Sequence, residues 1–139
     1  MAGNTTPIYS KVGDIQWTTT AITAANTTTD LTSGTSYLVF TADATNGGFL
    51  KKIRFRSLGT NVATVARIWL TNTTGPGVAA DAVLLDEVSL AASTVSQTSA
   101  LAVYEVPVLE AIPPGYKIYI TIGTAVAAGY KATAFAGKY

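Results

Sequence analysis

The sequence predicts an all-β protein: a single-domain β-sandwich, jelly-roll-like, with about eight antiparallel strands and an extended N-terminal arm. Three observations lead there. Apolar residues recur at period two, and no segment sustains a 3.6-residue apolar period. Gly, Asn and Pro break that alternation at short intervals, as turn residues do. Threonine (23 residues) and alanine (22) dominate the 139-residue chain; Thr is β-branched and suits a pleated, half-buried surface, while Ala suits close packing.

Residues 1–13 read as the arm, with Pro7, Ile8 and Tyr9 set among polar neighbours, and residues 14–139 as the sandwich. Asp14 to Thr20 is the first expected strand, with Ile15, Trp17 and Thr19 on one face. A Thr/Asn/Ser/Gly loop then leads to a short apolar strand, Ser36 to Thr41, and Asn46-Gly47-Gly48 closes the next turn. Phe49 to Leu58 alternates most clearly: Phe49, Lys51, Ile53 and Phe55 fall against Leu50, Lys52, Arg54 and Arg56. Thr64 to Asn72 sets Ala66, Ile68 and Leu70 against Val65, Arg67 and Trp69. After the Gly75-Pro76-Gly77 break come Ala82 to Leu90 and Ala102 to Leu109. Beyond Pro113-Pro114-Gly115, Tyr116 to Gly123 and Tyr130 to Ala136 complete the set. One domain is what this length supports, and at this size folding buries roughly two-thirds of the unfolded surface without needing a disulfide or metal.

Nine basic and eight acidic residues leave a net charge of +1, which argues against a general nucleic-acid binder. There is no apolar run of the ~18–20 residues a spanning helix needs, so no membrane partner is expected. Met1 to Pro7 lacks the basic start and apolar run of a secretion signal, and cysteine is absent. Both suit a protein made in a cytoplasm and not exported by the general pathway. Charged residues are 12% of the chain, about half the usual share. That composition fits a surface largely covered by partners, and it equally fits a merely Thr-rich β protein.

Catalysis lacks its usual parts. Without His or Cys there is no common general base, metal ligand or thiol nucleophile. Asp86 and Glu87 are adjacent on a strand and point to opposite faces, and Glu105 and Glu110, five apart, do the same. No enzyme activity, cofactor, metal site or small-molecule substrate is therefore expected. Gly47-Gly48 precedes a strand and not a helix, so hairpin chemistry explains it better than a phosphate loop.

Lys52, Arg54 and Arg56 form a basic stripe alternating with Ile53 and Phe55. If the strand that follows is its hairpin partner, consistent faces allow a register with Arg54 opposite Trp69 and Arg56 opposite Arg67. That would seat Arg54 on an indole. Read as a partner contact, the set is Lys52, Arg54, Arg56, Arg67 and Trp69, because Arg and Trp are favoured at such sites; read otherwise, it is an ordinary solvated sheet face. Tyr116, Tyr119, Tyr130 and Tyr139 near the C-terminus raise a third possibility, stacking of a sugar.

The opening MAGNTTPIYSKVGDIQW, the segment GGFLKKIRFRSLGTNVATVARIWLTN and the ending IPPGYKIYITIGTAVAAGYKATAFAG together resemble small structural proteins of tailed bacteriophages, of the head-decoration (cement) type. The resemblance implies a homo-oligomer, often a trimer, on the outer capsid of a virion, clamping neighbouring major capsid protein subunits against the pressure of packaged DNA. It implies no catalytic residues. An arm that orders on a neighbour would add Pro7, Ile8 and Tyr9 as contacts. A tail, fibre or baseplate module and a carbohydrate-binding adhesion domain remain the alternatives.

Overall fold

The computed structural model describes residues 10–139. Among these, eight strands form in chain order: β1 (Val12–Trp17), β2 (Tyr37–Thr41), β3 (Gly48–Ser57), β4 (Thr64–Thr71), β5 (Ala82–Leu90), β6 (Val103–Ile112), β7 (Lys117–Ile122) and β8 (Tyr130–Lys138). A 3₁₀ turn, Ala79–Asp81, leads into β5. The strands make two four-stranded antiparallel sheets, sheet A in the order β1-β8-β3-β6 and sheet B in the order β2-β7-β4-β5. Only the β4–β5 connection stays within one sheet, and the others cross between sheets. This is the jelly-roll sandwich the alternation suggested.

The topology corrects one expectation. β3 and β4 are not a hairpin: they lie in opposite sheets, so Arg54 does not face Trp69 and Arg56 does not face Arg67. β4 instead pairs with β5 and β7. Val12 and Gly13, grouped with the arm from sequence, open β1. Pro7, Ile8 and Tyr9 lie outside the described residues.

The core sits between the sheets. Leu50, Ile53 and Phe55 of β3 and Ala132 and Ala134 of β8 face Ala66 and Ile68 of β4 and Ile118, Ile120 and Ile122 of β7, all fully buried. Each buried Ile, Leu or Phe contributes about 1.5–3 kcal/mol, against ~0–1 kcal/mol for an exposed ion pair, so the core decides stability. The alternation of β3 shifts phase at a bulge where Lys51 has no partner on β8. Leu50 thereby turns inward with Ile53 and Phe55, and Phe49 outward. A matching irregularity in β6 places Leu109 in the left-handed region at φ 57°.

The sandwich has two open sides, β1 against β2 on one and β5 against β6 on the other. Gln16 ties the first together: its Nε2 donates to the Thr41 carbonyl at 2.9 Å and its Oε1 accepts the Thr41 N–H at 2.9 Å. A side-chain amide thus satisfies main-chain groups that no neighbouring strand reaches.

Candidate partner-binding surface

Residues directly opposite one another on paired strands share a face, so the registers of sheet A define its outer surface row by row. Ile15, Phe135, Lys52 and Pro107 form one row across β1, β8, β3 and β6. Trp17, Thr133, Arg54 and Glu105 form the next, and Lys131, Arg56 and Val103 a third. On the other side of the first row, Gly13 and Gly137 sit side by side next to Phe49. The missing side chains help leave a hollow of about 370 Å³ bordered by Ile15, Phe49, Lys51 and Phe135.

Lys52 and Arg54 converge on one acid and one ring. Lys52 Nζ lies 3.0 Å from Glu105 Oε2, and Arg54 Nη2 lies 2.7 Å from Glu105 Oε1. Hydrogen bonds from Lys52 and then Arg54 hold the Glu105 carboxyl below the usual glutamate range. The same two cations stand over Phe135, with Lys52 Nζ 5.3 Å and Arg54 Cζ 4.8 Å from the ring centroid. The ring face and the carboxylate therefore fix both side chains in place before any partner arrives, which lowers the ordering entropy of a contact.

Arg56 and Lys131 are direct neighbours of like charge, an arrangement that costs energy unless an anion intervenes. Lys131 Nζ is steadied by the carbonyls of Thr18 and Thr19, both at 2.8 Å. Neither cation has a carboxylate partner among the described residues. With Lys51, the face carries five cations and one carboxylate, Glu105. At its β1 end Ile15 and Trp17 are 54% and 59% exposed. The surface is cationic, with apolar and aromatic side chains at one end.

Of the residues singled out from sequence, Lys52, Arg54 and Arg56 come together here and Arg67 and Trp69 do not. Arg67 lies on sheet B, bonded through Nε to Glu87 at 2.8 Å and through Nη1 to the Asn26 carbonyl at 3.4 Å. Trp69 points outward from sheet B yet is only 1% exposed, and its Nε1 donates to Thr121 Oγ1 at 3.0 Å. Segment 23–36 runs over this face: Asn26 N–H bonds the Ile122 carbonyl, and buried Leu31 accepts a bond from Gly77 N–H. Leu31 and Trp69 are each buried yet lie outside the main core cluster.

Phe135, Glu105, Lys131, Ile15 and Trp17 were missed as members of this surface. The signal existed, since alternation placed Ile15 with Trp17 and Lys131 with Phe135. What it lacked was the position of β8 between β1 and β3.

Tyr130 is buried and Tyr116 packs against the core, so the C-terminal tyrosines make no shared exposed platform. Glu105 opposes Arg54 whereas Glu110 opposes the core residue Leu50, which keeps these two carboxylates on opposite faces. Among the described residues no three Asp or Glu side chains gather as metal ligands would.

The chain matches no protein-family model, no curated protein and no solved structure at a significant level.

Proposed function

We propose that the protein is a virion structural subunit that decorates and stabilises a phage capsid, clamping neighbouring major capsid subunits through the outer face of sheet A. The observation that carries the reading is the cation surplus on that face: Lys51, Lys52, Arg54, Arg56 and Lys131 stand beside exposed Ile15 and Trp17 with one carboxylate, Glu105, which pairs with Lys52 and Arg54 alone. Arg and Trp concentrate binding energy at interfaces, and an excess of one charge selects a partner of the other. The occupant is then an acidic, partly apolar protein surface. A rigid sandwich repeated many times gains avidity from modest single contacts. The step from protein contact to capsid rests on the phage resemblance of the sequence.

The test is co-sedimentation with capsids of a Lys52→Ala, Arg54→Ala, Arg56→Ala variant. Loss of affinity by about tenfold or more, corresponding to ~1.4 kcal/mol, is expected, with further loss as salt is raised. Unchanged affinity would overturn the assignment of this face. Pro7, Ile8 and Tyr9 belong to the same proposal as arm contacts, tested by deleting residues 1–9, which leaves β1 whole. Imaging of virions labelled on this chain separates the alternatives: label at capsid threefold positions supports decoration, and label on the tail replaces it with a tail module.

A further inference from the structure

Gly13 is out of place in β1. Glycine weakens a strand, and it usually stands there because the backbone takes a positive φ or because something approaches too closely for a side chain. The other glycines among the described residues each have a positive φ or an atom within 3.0 Å of where a Cβ would stand. Gly13 has neither. A Cβ there meets nothing within 4 Å, and the residue is exposed on the outer face of sheet A. Its register partner is Gly137, where a side chain would strike Ser10. No described residue uses the space above Gly13.

The bulge in β3 builds the rest of the hollow. With regular alternation Phe49 would join Ile53 and Phe55 in the core. The bulge at Lys51 turns Phe49 outward beside Gly137 and stands Lys51 at the rim. Bulges re-aim side chains in this way next to functional sites. Phe135, already held by Lys52 and Arg54, makes a second wall and Ile15 a third. The hollow of about 370 Å³ is thus bounded by two phenyl rings and an isoleucine. Of the described residues that line it, only Ser10 and Lys51 have polar side chains. That is too few hydrogen-bonding groups to orient a sugar, and it suits an apolar side chain. Lys51 has no carboxylate partner among the described residues, so an anionic group on the occupant would complement it.

We infer that this hollow anchors the partner contact: a bulky apolar side chain of the partner protein seats over Gly13, with a neighbouring carboxylate on Lys51. The inference rests on the outer face of sheet A being the partner-binding surface, and it names the residue chemistry that this surface selects. Binding energy concentrates where an apolar anchor fills a preformed socket, because little has to be ordered when it enters.

Gly13→Leu tests it by filling the hollow from its floor. The position is open and its φ lies outside the left-handed region, so the variant should fold and melt no lower than the wild type. Its affinity for capsids in co-sedimentation should fall about tenfold. Gly13→Ala, too small to fill the space, should stay within about threefold of the wild type. If Gly13→Leu keeps its affinity while the Lys52→Ala, Arg54→Ala, Arg56→Ala variant loses it, the anchor is overturned and the face stands. If both keep it, the face and the anchor fall together.

The purified chain gives a readout free of capsids. N-acetyl-phenylalanine carries the ring and the carboxylate together. It should shift the NMR signals of Ile15, Phe49 and Phe135 saturably, with a Kd on the order of millimolar. Its carboxamide should bind at least about threefold more weakly. Lys51→Ala should remove that difference, and Gly13→Leu should abolish binding of both. The absence of a saturable shift would overturn the anchor. So would binding that appears only after residues 1–9 are deleted, which makes the chain's own N-terminal segment the occupant. The same shifts arising from protein concentration alone would make the occupant a second copy, and would overturn it too.

Discussion

The Arg54 guanidinium lies 4.8 Å from the centroid of Phe135 while its Nη2 holds Glu105 at 2.7 Å. One side chain thereby links three strands, β8, β3 and β6, across the outer face of sheet A. A double-mutant cycle on Arg54→Ala and Phe135→Leu isolates the ring contact, and urea unfolding measures it. The expected coupling is about 0.5–1 kcal/mol, the range for an exposed cation–π pair. A coupling near zero would mean that Glu105 alone positions the guanidinium.

The Glu105 carboxyl is depressed, so its contribution to stability has a defined sign. It is fully present above the unfolded glutamate value and is lost as pH falls through the lower folded value. Glu105→Gln should therefore melt below the wild type at neutral pH, with the gap closing in acid. Thermal melts across the acid range check this, and a gap that widened in acid would contradict the assigned ion pairs.

Trp69 is buried and bonded to Thr121, so its substitution is expected to act on stability. Trp69→Phe keeps most of the apolar volume but leaves the Thr121 hydroxyl, 1% exposed as a residue, without its indole donor. A cost of about 1–3 kcal/mol is expected in chemical denaturation. Affinity for any partner of sheet A should be unaffected once the variant is folded. Emission from Trp69 should be blue-shifted and that from exposed Trp17 red-shifted, so Trp17→Phe should leave the bluer component.

Gln16→Ala strips Thr41 of both main-chain partners on the free edge of β2. The loss should be about 1–2 kcal/mol, with the Thr41 amide exchanging its hydrogen much faster while amides of β7 stay protected. Equal acceleration across sheet B would show that Gln16 supports the whole sandwich and not one edge.

Leu109→Gly sets strain against entropy. Releasing a left-handed leucine is worth ~1–2 kcal/mol and placing glycine in a strand costs ~0.5–1 kcal/mol, so a net gain of about 0.5–1 kcal/mol is expected. The melting temperature of the monomer reads it directly, and a destabilised variant would mean that the Leu109 side chain contributes contacts within its own chain.

Which residues alternate was readable locally; which strands meet was not. Ile15 and Trp17, or Lys131 and Phe135, share a face whatever their neighbours are, because a strand has period two. Adjacent strands in this fold are seldom adjacent in sequence, so Arg54 finds its ring 81 positions away, at Phe135, rather than at Trp69. A register drawn for a β3–β4 hairpin was internally consistent because parity is blind to which sheet a strand joins. The Lys51 bulge was hidden for a related reason: Phe49 and Leu50 are both apolar, so either could have been the inward residue. Trp69 sits on the face its alternation indicates yet is 1% exposed, because parity tells which side of a sheet a residue takes and not what covers that side.

The strand order also sets a timetable for synthesis. β7 and β8, the last strands made, are the ones wedged between earlier strands in both sheets. Until they leave the ribosome, β1 and β2 have no strand to pair with, and only β3 with β6 and β4 with β5 can begin. The nascent chain must wait with its apolar strands uncovered, a high-contact-order route that is slow and exposed to aggregation. Loss of the nine residues of β8 would then not trim an edge but remove an inner strand of sheet A.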